Sequence, residues 1–184
     1  CSNLKQVEIP DSVTSIGEYA FENCSNLKQV EIPDSVTSIG ECAFENCSRL
    51  AQISIPPSIT SLSSDIFKDC SDLKKVEIPN SVKSIGPYSF HYCTSLTQIS
   101  IPTSVDSIGV SAFYYTSLEE IEIPSSVTCI GASAFSRCSK LKKIEIPSSV
   151  TYICNNTFDG CTSLSHVTIP PSLKSIGSYA FRNC

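Results

Sequence analysis

The sequence predicts an α/β repeat solenoid of eight 23-residue coils: a parallel sheet of short strands on one wall, shorter strands on the opposite wall, and a helical or 3-10 turn closing each coil. Three observations predict it. The stretch CSNLKQVEIPDSVTSIGECAFEN, residues 24–46, recurs along the whole chain. Copies begin at Cys1, Cys24, Cys47, Cys70, Cys93, Tyr115, Cys138 and Cys161, and every step is 23 residues except that from Cys93 to Tyr115, which is 22. Aligned copies also form columns of one residue type: Leu4 through Leu164, Ile9 through Ile169 with a proline after each, and Ser12 through Ser172. Finally, all eight Phe residues, Phe21 through Phe181, fall in one column. A residue type confined to one phase of a repeat fills one slot of a stack.

Within a copy the elements follow in order. Leu-x-x-Val-x-Ile ends in period-2 alternation of β-branched residues, which reads as a short strand. Ile-Pro-x-Ser turns the chain, because proline lacks the N–H that a ladder needs and presets φ for position i+1 of a turn. The Ser hydroxyl is placed to bond backbone groups that the turn leaves unpaired. Val-x-x-Ile-Gly is a second extended piece on the opposite wall. Gly17 to Asn23 is expected to form one helical or 3-10 turn with Ala20 and Phe21 inward. An isolated coil leaves both flanks in water, so stability must come from neighbouring coils, their strands about 4.8 Å apart.

The pattern L-x-x-V-x-I-P-x-S-V-x-x-I-G-x-x-A-F-x-x-C resembles the BspA-like class of leucine-rich repeats, and the match covers all 184 residues. It departs from the most familiar leucine-rich pattern in placing Ser where Asn or Cys usually sits. The resemblance implies a right-handed, curved superhelix whose parallel sheet is concave. It also implies cell-surface adhesion or host-protein binding. One leucine-rich repeat domain, 1–184, is expected, with repeats 1–23, 24–46, 47–69, 70–92, 93–114, 115–137, 138–160 and 161–183.

Composition narrows the partners. Charged residues are 17% and the net charge is −5, which argues against nucleic acid or an anionic membrane as the main partner. No apolar run approaches the 18 or so residues of a membrane span, so no membrane insertion is expected. The absence of Met leads to the expectation of a fragment or mature piece of a larger protein, with any signal peptide or anchor outside it. Neither end carries a polar capping repeat, so the terminal coils should fray or be covered, and end-to-end self-association through uncapped ends is an expectation.

Three departures from the repeat stand out. Leu62, Ser63 and Ile66 replace Ile, Gly and Ala in repeat three, and Cys154 breaks the same Gly column in repeat seven. Loss of Gly matters at Ser63 if that turn needs φ > 0. In the short repeat Tyr115 stands where Cys stands elsewhere, which predicts a kink or tightened turn at Phe113–Thr116.

Eight of the eleven cysteines share one column. No C-x-x-C pair supports a metal site. Stacked equivalents sit about 4.8 Å apart at Cβ, against about 3.8 Å for a bridge, so the column reads as buried free thiols packing as small hydrophobes. Cys129 and Cys154, two positions apart in adjacent coils, leave open a diagonal bridge. No nucleophile elbow, zinc helix or phosphate loop is present, and the only histidines, His91 and His166, lie in different phases. Asp65 and Asp159 read as isolated loop residues. Asn23, Asn46 and Asn155 open N-x-S/T triplets that matter only in a glycosylating secretory route. The chain is therefore expected to be no enzyme and to hold no cofactor or metal.

The informative surface is the outward side of the concave strands. One column reads Gln6, Gln29, Gln52, Lys75, Gln98, Glu120, Lys143, His166, and the other Glu8, Glu31, Ser54, Glu77, Ser100, Glu122, Glu145, Thr168. Carboxylates one coil apart, Glu8–Glu31 and Glu122–Glu145, repel mildly, which a self-optimised sheet would not select. Two readings are open: an acidic, hydrogen-bonding strip for a basic or polar partner, and a solvated face copied with the repeat. A second patch, His91, Tyr92, Tyr114 and Tyr115, replaces Glu-Asn and Lys-Asp of other repeats. Exposed Tyr favours recognition; the other reading is that the rings fill the gap left by the missing residue. The resulting expectation is a cell-surface or secreted protein-binding solenoid whose partner is an extracellular-matrix or host-cell protein. The alternatives are an intracellular scaffold on the same repeat and a stalk without specific ligand.

Overall fold

A computed structural model describes all residues, 1–184. The chain winds into a solenoid of parallel strands with about seven turns. On the long wall lie the three-residue strands β1 (Gln6–Glu8), β3 (Gln29–Glu31), β5 (Gln52–Ser54), β7 (Lys75–Glu77), β11 (Lys143–Glu145) and β13 (His166–Thr168). The short wall carries two-residue strands: β2 (Ser15–Ile16), β4 (Ser38–Ile39), β6 (Ser61–Leu62), β8 (Ser84–Ile85), β9 (Ser107–Ile108), β10 (Cys129–Ile130), β12 (Tyr152–Ile153) and β14 (Ser175–Ile176). Every pairing is parallel and joins equivalent residues, as in Gln6↔Gln29 and Ile85↔Ile108. Two expectations need correction. The structure contains no helix, so the fold is β rather than α/β. Eight copies of the motif meet through seven interfaces, and the solenoid makes about seven turns instead of eight closed coils.

The apolar columns stack as their phase demands. Leu27, Leu50, Leu73, Leu96, Leu118 and Leu141 are fully buried in one core that runs the length of the chain. The Phe rings stack from Phe21 to Phe181, with centroids 5.2–5.7 Å apart and planes within 22° of parallel.

The segment expected to be a helical turn is instead a third ladder. At every step three N–H groups, those of the Phe and of the residues two before and two after it, donate to carbonyls of the next coil at 2.7–3.1 Å; Phe90 N to Ala112 O is one. A helix would spend these donors inside its own coil. The flanking donors escape that fate by taking left-handed backbone: Tyr19, Asn23, Asp65, Asp69, Tyr92, Tyr115 and their equivalents have φ of 52–75°. Seven of the sixteen such positions hold Asn, Asp or Gly, types that tolerate this region well.

The Gly17 column has a different use from the one its residue type suggested. Its φ is not positive. Its glycines let coils approach, since a Cβ on Gly109 would lie 2.5 Å from Pro87 N, and Gly109 N donates to Ile85 O at 2.8 Å. Where glycine is absent that bond is absent. Ser63 compensates with Oγ donating to Ile39 O at 2.6 Å, and Cys154 has no substitute. The short-wall sheet breaks at these two places, between β4 and β6 and between β10 and β12.

Turn chemistry also differs in detail. Pro10, Pro33 and their equivalents accept from the N–H three residues on, so proline occupies position i of the turn and not i+1. The Ser column bonds backwards: Ser35, Ser81, Ser104, Ser126 and Ser149 donate to carbonyls of the preceding coil at 2.5–2.7 Å. The kink expected at Phe113–Thr116 is absent from the stack, where Phe113 and Phe135 lie 5.3 Å apart and 6° from parallel. Thr116 N bonds Phe113 O as Cys24 N bonds Phe21 O, so Thr116, not Tyr115, takes the cysteine position. The missing residue therefore falls between Thr116 and Leu118, and removes the turn that links Cys24 O to Leu27 N elsewhere.

Candidate protein-binding surface

The long wall positions the outward columns by simple alternation. In β3, β5, β7 and β11 the central residue is buried and its two neighbours are exposed. All sixteen side chains of the two columns are exposed. Twelve of them lie on strands. Gln98, Ser100, Glu120 and Glu122 do not, because the wall loses its ladder on both sides of the shortened turn: only Glu119 N–Thr97 O and Lys142 N–Glu119 O, each 3.1 Å, hold coils five to seven together there. Strand register brings Glu8 opposite Glu31, whereas Glu122 and Glu145 are not a ladder pair.

Within the strip the charges are unevenly satisfied. Lys75 Nζ lies 2.6 Å from Glu77 Oε1, and Ser54 Oγ donates to Glu77 Oε2 at 3.1 Å. Both bonds hold the Glu77 carboxyl below its usual range, Lys75 contributing most. Glu8, Glu31, Glu120, Glu122 and Glu145 have no ion-pair partner. Between β3 and β5, which do not pair, the wall opens into a cleft of about 300 Å³. Val30, Ile32 and Ile53 form its floor, and Gln29, Glu31, Gln52, Ser54, Lys75 and Glu77 its rim. The sequence held no sign of this opening.

The aromatic residues come together on the turn edge, away from that wall. His91 stacks on Tyr114 (4.7 Å, 13°) and meets Tyr92 edge-on (4.6 Å). Tyr92 packs against Tyr115 at 5.2 Å, and Tyr88, which the sequence reading passed over, closes on His91 at 5.5 Å. The rings do not fill the gap of the missing residue, which lies beyond Thr116. His91 Nδ1 is buried without a hydrogen-bond partner, and burial lowers the imidazole pKa.

The cysteine column proves to be a hydrogen-bonded structural row. Cys24, Cys47, Cys70, Cys93, Cys138 and Cys161 are buried, while Cys1 and Cys184 are exposed. From Cys47 on, each Sγ in the row donates to a Phe carbonyl of the preceding coil at 3.0–3.2 Å, so these thiols do more than fill space. Burial pushes Cys47 up to about 12 and Cys138 to about 11, which leaves them protonated. Cys129 and Cys154 are free thiols, and Cys154 is raised by burial and by its neighbour Cys129. Asp65 and Asp159 are not isolated: Asp65 lies 3.4 Å from Lys68, and Asp159 accepts two bonds from Arg182 at 2.6 and 2.9 Å. No three His, Cys, Asp or Glu side chains converge on one point.

Comparison with known proteins agrees with the architecture. The family model for the BspA type leucine rich repeat region matches six copies over residues 1–93 and 61–184. The leucine rich repeat protein of T. pallidum, TpLRR, is 26% identical and superposes with a TM-score of 0.76, over 97% of this chain and 76% of that one. The pneumococcal vaccine antigen PcpA shares the fold at 21% identity and a TM-score of 0.64, over 92% of this chain and 52% of its own. No curated protein sequence matches the chain.

Proposed function

The chain belongs to the BspA-type leucine-rich repeat family, and from that premise we infer that it is a non-catalytic surface adhesion or host-protein recognition module that binds through its long wall. Leucine-rich repeat solenoids generally bind proteins, and this family is a scaffold type whose members are typically found at the cell surface. No helix of the structure is long and apolar enough to cross a membrane. The observation that carries the reading is the pair of exposed polar columns in which Glu8, Glu31, Glu120, Glu122 and Glu145 have no ion-pair partner. Copying a repeat propagates Glu, but a sheet selected for its own stability would alternate charges where Glu8 faces Glu31. Complementary charge on a partner would relieve that repulsion and speed encounter. The partner class is an extracellular-matrix or host-cell protein with a basic or polar face. We take the eight repeats as one domain, 1–184, with the polar columns running along its long wall across the breaks between strand pairs.

The test is retention of proteins from a matrix extract on the immobilised chain, followed by titration of whichever band is held. The triple variant Glu8→Lys, Glu31→Lys, Glu145→Lys should lose about tenfold or more in affinity, with weakening salt dependence and an unchanged circular dichroism spectrum. Unchanged affinity in the triple variant rejects the strip, and the absence of saturable binding to any fraction favours the stalk reading.

A further inference from the structure

Along the outermost column of the turn edge the residues run Asp69, Tyr92, Tyr115, Arg137, one per coil. Tyr92 and Tyr115 are 38% and 44% exposed, Arg137 is exposed, and neither Asp69 nor Arg137 makes an ion pair. The next column inward holds His91 and Tyr114, so two adjacent coils present a block of aromatic rings between a free carboxylate and a free guanidinium. Arg137 follows Tyr115 in the same column one coil on, where Tyr115 N donates to Ser136 O at 2.9 Å.

The block is corrugated, not flat. Tyr92 is inclined 42° to Tyr115 and 76° to Tyr114, and Tyr88 stands 69° from His91. A sugar ring stacks on a flat aromatic face. A polyproline II helix, with three residues per turn, seats its ridges between inclined rings, and its unsatisfied carbonyls accept from phenol hydroxyls. Backbone conformation adds a second argument. Tyr92 and Tyr115 have φ of 58°, a region that L residues enter at a cost, where five of the other six copies carry Asn, Asp or Gly and the sixth is Arg137. The turn ladder sets this conformation in every coil, Tyr19, Tyr88 and Tyr179 included, and so holds Tyr92 and Tyr115 side by side in one column of neighbouring coils.

We propose that this face is a docking surface for a proline-rich segment in polyproline II conformation, with a basic residue at the Asp69 end and an acidic one at the Arg137 end. Length agrees. Three coil steps of about 4.8 Å separate Asp69 from Arg137 by about 14–15 Å. That is the rise of about five residues at 3.1 Å each. The surface is separate from the long wall, and its ligand is independent of whatever that wall binds.

Two blocked peptides test it by titration against the whole chain: pentaproline flanked by Arg and Glu, and the same peptide with the flanks exchanged. One orientation should bind saturably and the other about threefold or more weaker, the difference vanishing in high salt. Tyr92→Asn and Tyr115→Asn should each weaken binding about tenfold. These variants should fold, because Asn23, Asn46 and Asn183 occupy the same position with the same backbone conformation in other coils. Arg137→Ala should lower affinity and reduce the orientation preference to the part that Asp69 supplies. The proposal is overturned if neither peptide binds, if a Gly-Ser peptide with the same flanks binds as well, if the Tyr variants bind normally, or if soluble oligosaccharides saturate the face instead.

Discussion

Along the turn edge, three backbone bonds join every coil to the next, and the Phe stack beside them passes through Ser63, through the shortened turn and through Cys154 without a gap. Along the two walls pairing stops and restarts. The long wall consists of three separate strand pairs, and the short wall is cut at the two positions that lack glycine. Both regions come from the same 23-residue unit. The turn edge is therefore the spine of the solenoid, and the walls hang from it. The less bonded region is also the one with exposed, variable side chains, as expected of a surface that recognises something else. The aromatic face is a different case, a proposed docking surface built on the spine itself.

Side-chain deletion gives the largest contrast. Phe90 is fully buried between two stacked rings, so Phe90→Ala should cost about 3–5 kcal/mol in urea unfolding. Ile99, half-buried on the unpaired part of the long wall, should cost about 1–2 kcal/mol when cut to Ala. Equal costs would remove the distinction between spine and wall. Glycine sharpens the same comparison at smaller scale. In Gly109→Ala the new methyl meets the Pro87 backbone nitrogen, which cannot swing aside, and a loss of about 1–3 kcal/mol is expected. Gly17 performs no close approach, with nothing within 4 Å of an added Cβ and no positive φ, so Gly17→Ala should gain about 0.4–1 kcal/mol. Parallel thermal melts of the two variants decide it.

What the sequence made legible follows from which interactions repeat within one copy. The Leu and Phe columns, the strand phase and the outward alternation of Glu31 and Gln29 are set by period and residue type alone. The turn ladder was misread because apolar Ala20 and Phe21 suit a helical turn equally well. The opposing signal was present, in Asn23, Asn46, Asp65, Asp69, Asn156, Gly160 and Asn183 at two fixed phases. The wall interruptions were not legible. Ile99 and Ile121 keep their column, and whether their strands pair depends on the spacing between coils, which no single copy encodes. The cleft between β3 and β5 was hidden for the same reason. At the aromatic face adjacency in sequence gave the four rings, while the packing of Tyr88 and the flanking Asp69 and Arg137 needed the stacking of four coils.

The breaks in the short wall offer the finest test, because they isolate one hydrogen bond. Replacing Cys154 by Gly should let its N–H reach Ile130 O, as Gly177 N reaches Ile153 O at 2.7 Å. That bond is worth about 0.5–1.5 kcal/mol, against roughly 0.5–1 kcal/mol of backbone entropy for the glycine, so the variant should be neutral or slightly more stable. Ser63→Gly gains the same bond but forfeits the Ser63 Oγ bond to Ile39 O and meets the same entropic cost. It should come out less stable than the parent by about 0.5–1 kcal/mol. Amide exchange at residues 63 and 154 reads the bond directly. Slower exchange at 154 in Cys154→Gly, together with the opposite signs in unfolding free energy, means that close approach limits wall pairing. Equal and unfavourable changes in both variants would mean that the wall is open for another reason, and that glycine there only loosens the chain.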